Sequence, residues 1–210
     1  MSTSRQLAEK LLQIKALQIN LQKPYTWASG WRSPLYCDNR KVLSYPFVRD
    51  YVKSELANLI LETYPEAELI AGVATAGLAH GAMAADLLRL PFINVDPKEW
   101  KFAGGHIDNT WAKGMQAVLV EDLISMGKSS LQAVEALQEL GVEVMGVCAL
   151  FSYEFPVAQE AFASANMPLH TLSNYSALVQ LAYDQGKITE DQKSVIEIWR
   201  QNPDKWDPGT

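Results

Sequence analysis

The chain has 210 residues, 48% of them apolar, and its 18 Lys+Arg against 24 Asp+Glu give a formal charge of −6. That length fits one domain with a sizeable core, and an acidic balance without a Lys/Arg block excludes nucleic acid or an anionic membrane as the main partner, leaving a local basic pocket for phosphate. Cys37 and Cys148 are the only cysteines. Without a C-x-x-C pair they indicate neither a disulfide framework nor a thiolate zinc site, which favours a reducing compartment. No apolar run approaches the roughly 18 residues of a membrane span, and Met1 to Ile14 carries polar residues throughout where a signal peptide needs an apolar core. The expectation is a cytoplasmic protein.

Thr3-Ser4-Arg5-Gln6 has capping-box spacing, and Leu7, Leu11, Ile14 and Leu17 recur at helical intervals, which predicts an amphipathic N-terminal helix. Pro24 to Arg40 alternates aromatic residues with turn formers, as in a short β-ribbon bent at Ser29-Gly30. Ser44-Tyr45-Pro46 opens a helix with Val48, Tyr51, Val52, Leu56, Leu59 and Ile60 on its buried face, ending near Pro65. From Glu68 onward short apolar runs alternate with helices. The runs are Leu69 to Val73, Phe92 to Val95, Gln116 to Val120, Val142 to Leu150 and Leu169 to Leu172. Leu78–Leu90 and Ser129–Leu140 have helical periodicity, with Gly141 as the C′ residue of the second. Strands apolar on both faces, separated by helices, predict a doubly wound α/β domain whose parallel sheet is covered on both sides. A Thr189-Glu-Asp-Gln192 box starts a last helix through Trp199. The expected division of this single domain is an N-terminal hood of helix plus β-ribbon (1–45), an α/β core (46–185), and a C-terminal helix and tail (186–210).

Ligands of open parallel sheets bind beyond the carboxyl ends of the strands, which singles out Ala74–Leu78, Asp96–Lys113 and Glu121–Ser129. In the last of these a hydrophobic strand runs into Glu121-Asp122, then Leu123-Ile124-Ser125-Met126-Gly127-Lys128-Ser129-Ser130 and a helix. Adjacent carboxylates point to different sides, and a Ser/Gly loop before a helix N-terminus offers hydroxyls and free N–H groups to an anion. Acceptors on one side and an anion cradle on the other suit a phosphorylated sugar. Helix capping and an ordinary turn would be the plainer explanation for an isolated acidic strand end. Gly127-Lys128-Ser129 also matches the end of a P-loop, but Asp122 stands where the first glycine of that motif belongs, which rules it out.

Val118 to Ser130 resembles the phosphoribosyl-pyrophosphate (PRPP) motif of type I phosphoribosyltransferases. Ala28-Ser-Gly-Trp-Arg-Ser-Pro-Leu-Tyr-Cys-Asp-Asn-Arg40 is similar to the N-terminal SG-(R/K)-SP-x-Y segment of orotate phosphoribosyltransferases, and Glu135 to Tyr153 to the helix and strand that follow their PRPP loop. The resemblance extends through Asn174-Tyr175 and Trp199. It implies that orotate and PRPP react, with Mg²⁺ brought mainly by PRPP and not by a dedicated protein site, to give orotidine 5′-monophosphate and pyrophosphate. PRPP would be held by Glu121, Asp122, Leu123, Ile124, Ser125, Met126, Gly127, Lys128 and Ser129, with the ribose hydroxyls on the acidic pair and the 5′-phosphate on Ser125 to Ser129. Ala74-Thr75-Ala76-Gly77 would be the pyrophosphate loop, and Thr75, Ala76 and His106 would touch PRPP. Orotate would lie against Leu35, Tyr36, Ser125 and Tyr153. Asp122, Glu121, Lys101 and Lys98 would be the catalytic set, in a homodimer whose subunits share active sites.

The family's mobile loop, typically Arg-x-x-x-Lys-x-His-Gly, is altered here. Asp96 stands at the Arg position, and Lys98, Lys101 and His106 are the surviving donors, with Gly104-Gly105 supplying mobility. Ala79-His80 replaces Pro-x after the pyrophosphate loop, and His80 reads equally as a surface residue or a phosphate donor. Trp27 and Trp31 read as packing of the hood, and His170 as structural. Two alternatives follow from these departures: a PRPP- or nucleotide-binding homologue that has lost the chemistry, and a transferase acting on another base.

Overall fold

Helix α1 (Thr3–Gln13) is capped one residue earlier than the spacing predicts, because the Ser2 side chain accepts the Arg5 amide while the Thr3 hydroxyl donates to Glu55 on a neighbouring helix. The computed structural model describes residues 2–27, 29–96 and 110–207. After α1 the chain turns at Lys15, with φ +56°, so Leu17 leaves the predicted helical stripe and enters a strand. Strands β1 (Leu17–Ile19), β2 (Tyr25–Thr26), β3 (Arg32–Ser33) and β4 (Leu35–Cys37) form two antiparallel ribbons, β1 with β4 and β2 with β3. The β2–β3 ribbon bends at Gly30, whose φ of +88° suits glycine. A 3₁₀ segment, Asn39–Ser44, leads into α2 (Pro46–Thr63), with Pro46 in its first turn.

The core follows as β5 (Leu69–Val73), α3 (Ala76–Leu88), β6 (Phe92–Val95), β7 (Gln116–Ile124), α4 (Lys128–Glu139), β8 (Glu143–Ser152), α5 (Pro156–Ser164), β9 (Leu169–Asn174), α6 (Tyr175–Asp184) and α7 (Glu190–Gln201). Five strands make a parallel sheet in the order β6-β5-β7-β8-β9. Alternation along each strand feeds two cores, as the pleat requires. Ile70, Val118, Val120, Cys148 and Leu150 pack with α1, α2, α6, α7 and the hood. Ala71, Leu119, Val147 and Ala149 pack with α4 and α5. This is the doubly wound architecture, with the hood on one face.

Three differences from the sequence expectation have physical causes. β7 continues to Ile124 because β8 runs beside it and pairs as far as Ile124↔Ser152, so ladder hydrogen bonds override the poor strand preference of Glu121 and Asp122. α5 escapes a periodicity reading because only Ala158 and Phe162 of its nine residues are buried. α6 follows β9 without Gly or Pro punctuation, its start fixed by the Asn174 side chain accepting the Ala177 amide at 2.9 Å. At the C-terminus both hydrogen bonds of the Thr189–Gln192 capping box are present, and Gly141 takes φ +80° after α4.

Helix α3 lies unusually close to the sheet. A Cβ built on Gly77 would stand 2.6 Å from the Val120 carbonyl and 3.2 Å from the Glu121 Cα. Alanine gains at most about 1 kcal/mol of helix propensity, whereas overpacking against backbone costs about 1–3 kcal/mol. Gly77→Ala is therefore expected to lower the urea midpoint, and an unchanged midpoint would show that α3 can shift freely.

Candidate active site

The connection from β5 leads through α3 to β6 on one side of the sheet, while β7 leads through α4 to β8 on the other. The crevice between the ends of β5 and β7 is thus the topological switch point where such sheets bind ligands. β5 pairs with β7 only as far as Gly72↔Val120. Beyond it, Glu121 to Ile124 is bordered by β8 alone and opens on the side of the Ala74 turn.

The carboxylates alternate along this extension. Glu121 is 5% exposed and accepts from the Asp122 amide at 3.0 Å and the buried Ser130 hydroxyl at 3.4 Å. Burial, followed by the charge of Asp122, pushes its carboxyl well above the usual range. Asp122 looks toward the hood. Burial raises its carboxyl, while the Glu121 hydrogen bond and the Arg40 charge pull it down and Asp38 pushes it up. The fully buried Asn39 pins the hood to this point, donating Nδ2 to the Asp122 carbonyl at 2.6 Å and accepting the Cys37 thiol at 3.3 Å.

Past the acidic pair lies a cavity of about 300 Å³ lined by Ala74, Leu123, Ser125, Met126, Gly127, Lys128, Ser129, Ser130 and Gln132. The N-cap of α4 is Gly127, with no side-chain capping bond and no acid in the first turn. The first amides of the helix therefore point out uncapped, with Lys128 placed where the helix dipole disfavours a cation unless an anion joins it. Gly127 is required twice, by its φ of +76° and by Phe162, which a Cβ would approach to 2.7 Å. The arrangement is that of an anion site.

A second cavity of about 410 Å³ adjoins it, sharing Leu123 and Ser125 and otherwise lined by Thr26, Trp27, Tyr36, Cys37 and Tyr153. Its walls are mostly aromatic. Tyr36 is tilted against Tyr25 at 5.3 Å, while Tyr153 stacks on Phe155 at 5.3 Å and meets Trp27 at 5.0 Å. The Tyr153 hydroxyl, raised chiefly by burial, is hydrogen-bonded by the Cys37 backbone. Burial likewise raises the Cys37 thiol, keeping it neutral.

Tyr36, Leu123, Ser125, Met126, Gly127, Lys128, Ser129 and Tyr153 thus come together as the sequence suggests. Leu35 and Ile124 are placed differently, their side chains lying in the two cores. The Leu35 carbonyl is already taken by Ser33 and Trp27. Thr75 and Ala76 stand at the start of α3, and Ala74 is the residue of that turn lining the anion cavity; the Ala74–Thr75 peptide is cis. Trp27 packs in the hood as expected, stacked with Trp31 at 6.4 Å, yet it also forms cavity wall. Thr26, Trp27, Cys37 and Gln132 are the lining residues that were missed; the aromatic spacing of the hood was a signal for Trp27, whereas strand alternation puts Cys37 on the opposite face from Tyr36 and gave none for it. Lys98, Lys101 and His106 lie outside the described residues. His80 is not a surface residue, being 1% exposed, and it does not line the anion cavity; its ring has no partner of full hydrogen-bond geometry and meets the backbone of Asn39. A further cavity of about 480 Å³ is lined only by residues of α6 and α7, among them Tyr175, Lys193 and Glu197, and touches neither the acidic pair nor the loop.

The chain is 49% identical over 207 residues to orotate phosphoribosyltransferase of Bacteroides thetaiotaomicron, covering 98% of this chain and 97% of that relative. The chain belongs to the orotate phosphoribosyltransferase family. In structure it is similar to orotate phosphoribosyltransferase from Aeropyrum pernix, with TM-score 0.70 and 24% identity over 86% of this chain and 99% of that one. It is also similar to Leishmania donovani UMP synthase, with TM-score 0.75 and 24% identity over 94% of this chain, which spans 42% of that longer protein. At those identities the likeness shows a shared fold. No protein-family model matches the chain. Among the described residues no helix is long and apolar enough to cross a membrane.

In this chain His80 gives the acid response a distinctive component. Burial pulls its pKa from 6.5 to about 4, against a smaller upward pull from the Asn39 backbone. The folded state holds the neutral ring, so its contribution is whole above pH 6.5 and lost as pH falls toward 4, amounting to about 3 kcal/mol at about 1.4 per pH unit. Raised carboxyls such as Glu121 act with the opposite slope. The unfolding free energy of wild type relative to His80→Gln should therefore fall as pH drops from 6.5 to 4. A difference independent of pH would show that His80 is not neutral by burial.

Proposed function

We propose that the chain transfers the 5-phosphoribosyl group of PRPP to orotate, giving orotidine 5′-monophosphate and pyrophosphate in pyrimidine synthesis. The observation that carries the reading is the pair of adjoining cavities, an uncapped helix N-terminus in one and aromatic walls in the other, meeting at Leu123 and Ser125. A ligand with a phosphate at one end and a planar base at the other spans such a pair, and a protein that bound PRPP alone would have no use for the aromatic half.

In this reading the amides of Lys128 to Ser130 and the hydroxyls of Ser125 and Ser129 hold the 5′-phosphate. Orotate lies between Tyr36 and Tyr153, and its N1 bonds to the ribose C1 as the bond to pyrophosphate breaks, the N1 proton passing to the departing pyrophosphate or to water. Positive charge develops on the sugar ring, and fixed carboxylates beside it stabilise that charge more than they stabilise the ground state. Asp122 is the carboxylate on the base side; Glu121, held by Ser130 and the Asp122 amide, is available to the ribose hydroxyls. Among the described residues no group of three or more His, Cys, Asp or Glu could hold a metal. Mg²⁺ characteristically binds one or two carboxylates together with substrate phosphates, so a single carboxylate of the pair would suffice for an ion carried in by PRPP, which would neutralise the leaving pyrophosphate. Lys98, Lys101 and His106 are proposed as further donors to pyrophosphate, reaching the partner's site in a homodimer.

Steady-state assays with PRPP and Mg²⁺ against a panel of bases test the reading. Orotate should be consumed in preference to other bases, and Asp122→Asn should lower kcat by about 10²–10³ with folding preserved. Mixing Asp122→Asn with Lys101→Ala subunits should restore part of the activity. PRPP binding without orotate consumption would favour the binding-protein alternative, and parental turnover by Asp122→Asn would remove its proposed role.

A further inference from the structure

The wall of the aromatic cavity that carries Tyr153 is held from behind by the C-terminal helix. β8 ends at Ser152, and Glu154, next to Tyr153, has φ +53°, a left-handed conformation disfavoured for residues other than glycine. Each polar group of Glu154 is fastened. Its amide donates to the Ser152 hydroxyl at 3.0 Å, its carbonyl accepts from Arg200 Nη1 at 2.8 Å, and its carboxylate accepts the Ser176 amide at 2.9 Å and the Ser176 hydroxyl. Arg200 is immobilised in turn. Its Nε donates to Glu197 at 3.1 Å, Glu197 also accepts the Tyr175 hydroxyl at 3.0 Å, and the guanidinium lies 5.2 Å from the Tyr175 ring centre.

The preceding residue, Trp199, is fully buried. Its ring meets Trp27 and Tyr153 edge-on at 5.9 Å each, and its Nε1 donates to the Arg32 carbonyl at 3.2 Å. Neither Trp199 nor Arg200 lines the cavity, yet both touch residues that do or that adjoin one.

We infer that Arg200 and Glu154 form a clamp that positions Tyr153, so that α7 sets base recognition from outside the pocket. The inference rests on the proposed reaction for its choice of substrate. Without the Arg200 donor, the chain at Glu154 relaxes toward negative φ, and the Tyr153 ring loses its registry with Tyr36 and with the Cys37 backbone that holds its hydroxyl. The PRPP half of the site is built on β7 and α4 and meets the clamped segment only at the β8 ladder and the Tyr153 amide, which donates to the Ile124 carbonyl at 3.0 Å, so the clamp acts on it less than on the aromatic wall.

Arg200→Met keeps the aliphatic stem and removes the donors. It should raise KM for orotate on the order of tenfold, the scale of one charge-assisted hydrogen bond, with KM for PRPP and kcat within about twofold. Arg200→Lys should recover part of the loss. Alkylation by iodoacetamide gives a readout that needs no turnover: Cys148 is fully buried, so labelling reports Cys37 in the cavity wall, and it should be faster in Arg200→Met. Should that variant not fold, Glu154→Ala, which removes the Ser176 contacts and leaves α7 intact, should show the same split and the same faster labelling. Wild-type labelling rates in the folded variants, or equal changes in KM for both substrates, would overturn the clamp. If wild type consumed no orotate, the proposed reaction would fall on its own, while the Cys37 labelling rate would still decide for or against the clamp.

Discussion

From Glu121 to Ile124, β7 continues past the point where β5 leaves it, with β8 supplying its hydrogen bonds. Each functional feature is arranged around that extension. It carries two neighbouring carboxylates into a largely buried place, where desolvation raises both carboxyls and the charge of Asp122 raises Glu121 further. A loop could move them apart or out into water. A strand fixed by a ladder cannot, and its alternation sends Glu121 toward Ser130 and Asp122 toward the hood. The cost of burying such a pair without a cation is offset by the rest of the fold, which explains why backbone and hydroxyl donors gather there: the Asp122 amide, Ser130, and beyond them the open N-terminus of α4. A substrate bringing ribose hydroxyls, a metal ion and developing positive charge relieves the same strain, which is how a costly ground state becomes useful in a transition state.

The close approach of helix and hood follows from this constraint. Gly77 lets α3 sit directly on Val120 and Glu121, and Asn39 ties the 3₁₀ segment to the Asp122 carbonyl. The aromatic cavity then forms where the hood ribbons, the end of β8 and α7 converge. Trp199 and Arg200 connect the far end of the chain to that wall, giving the C-terminal helix a part in the site though it contributes no residue to the cavity lining.

Much of this was legible in the residues. The two-sided hydrophobic strands dictated a doubly wound sheet, and Glu121-Asp122 with Ser125, Gly127 and Ser129 marked the anion loop, because each depends on local pattern. Features that depend on distant partners were not legible. The strand character of Glu121 and Asp122 required β8 alongside; the burial of His80 required the hood beside Asn39; and the core position of Leu35 required knowing that β1 pairs with β4, which sends Tyr36 to the cavity and Leu35 inward. Arg200 gave no local signal at all, since its partner Glu154 lies 46 residues away and matters only because of its backbone conformation.

The central claim is that the two cavities at the tip of β7 are halves of one site. A crystal structure with orotidine 5′-monophosphate tests it most directly. The account predicts the phosphate on the amides of Lys128 to Ser130, the ribose beside Glu121 and Asp122, and the pyrimidine ring between Tyr36 and Tyr153. A phosphate bound away from the start of α4, or a pyrimidine seated in the cavity between α6 and α7, would contradict it.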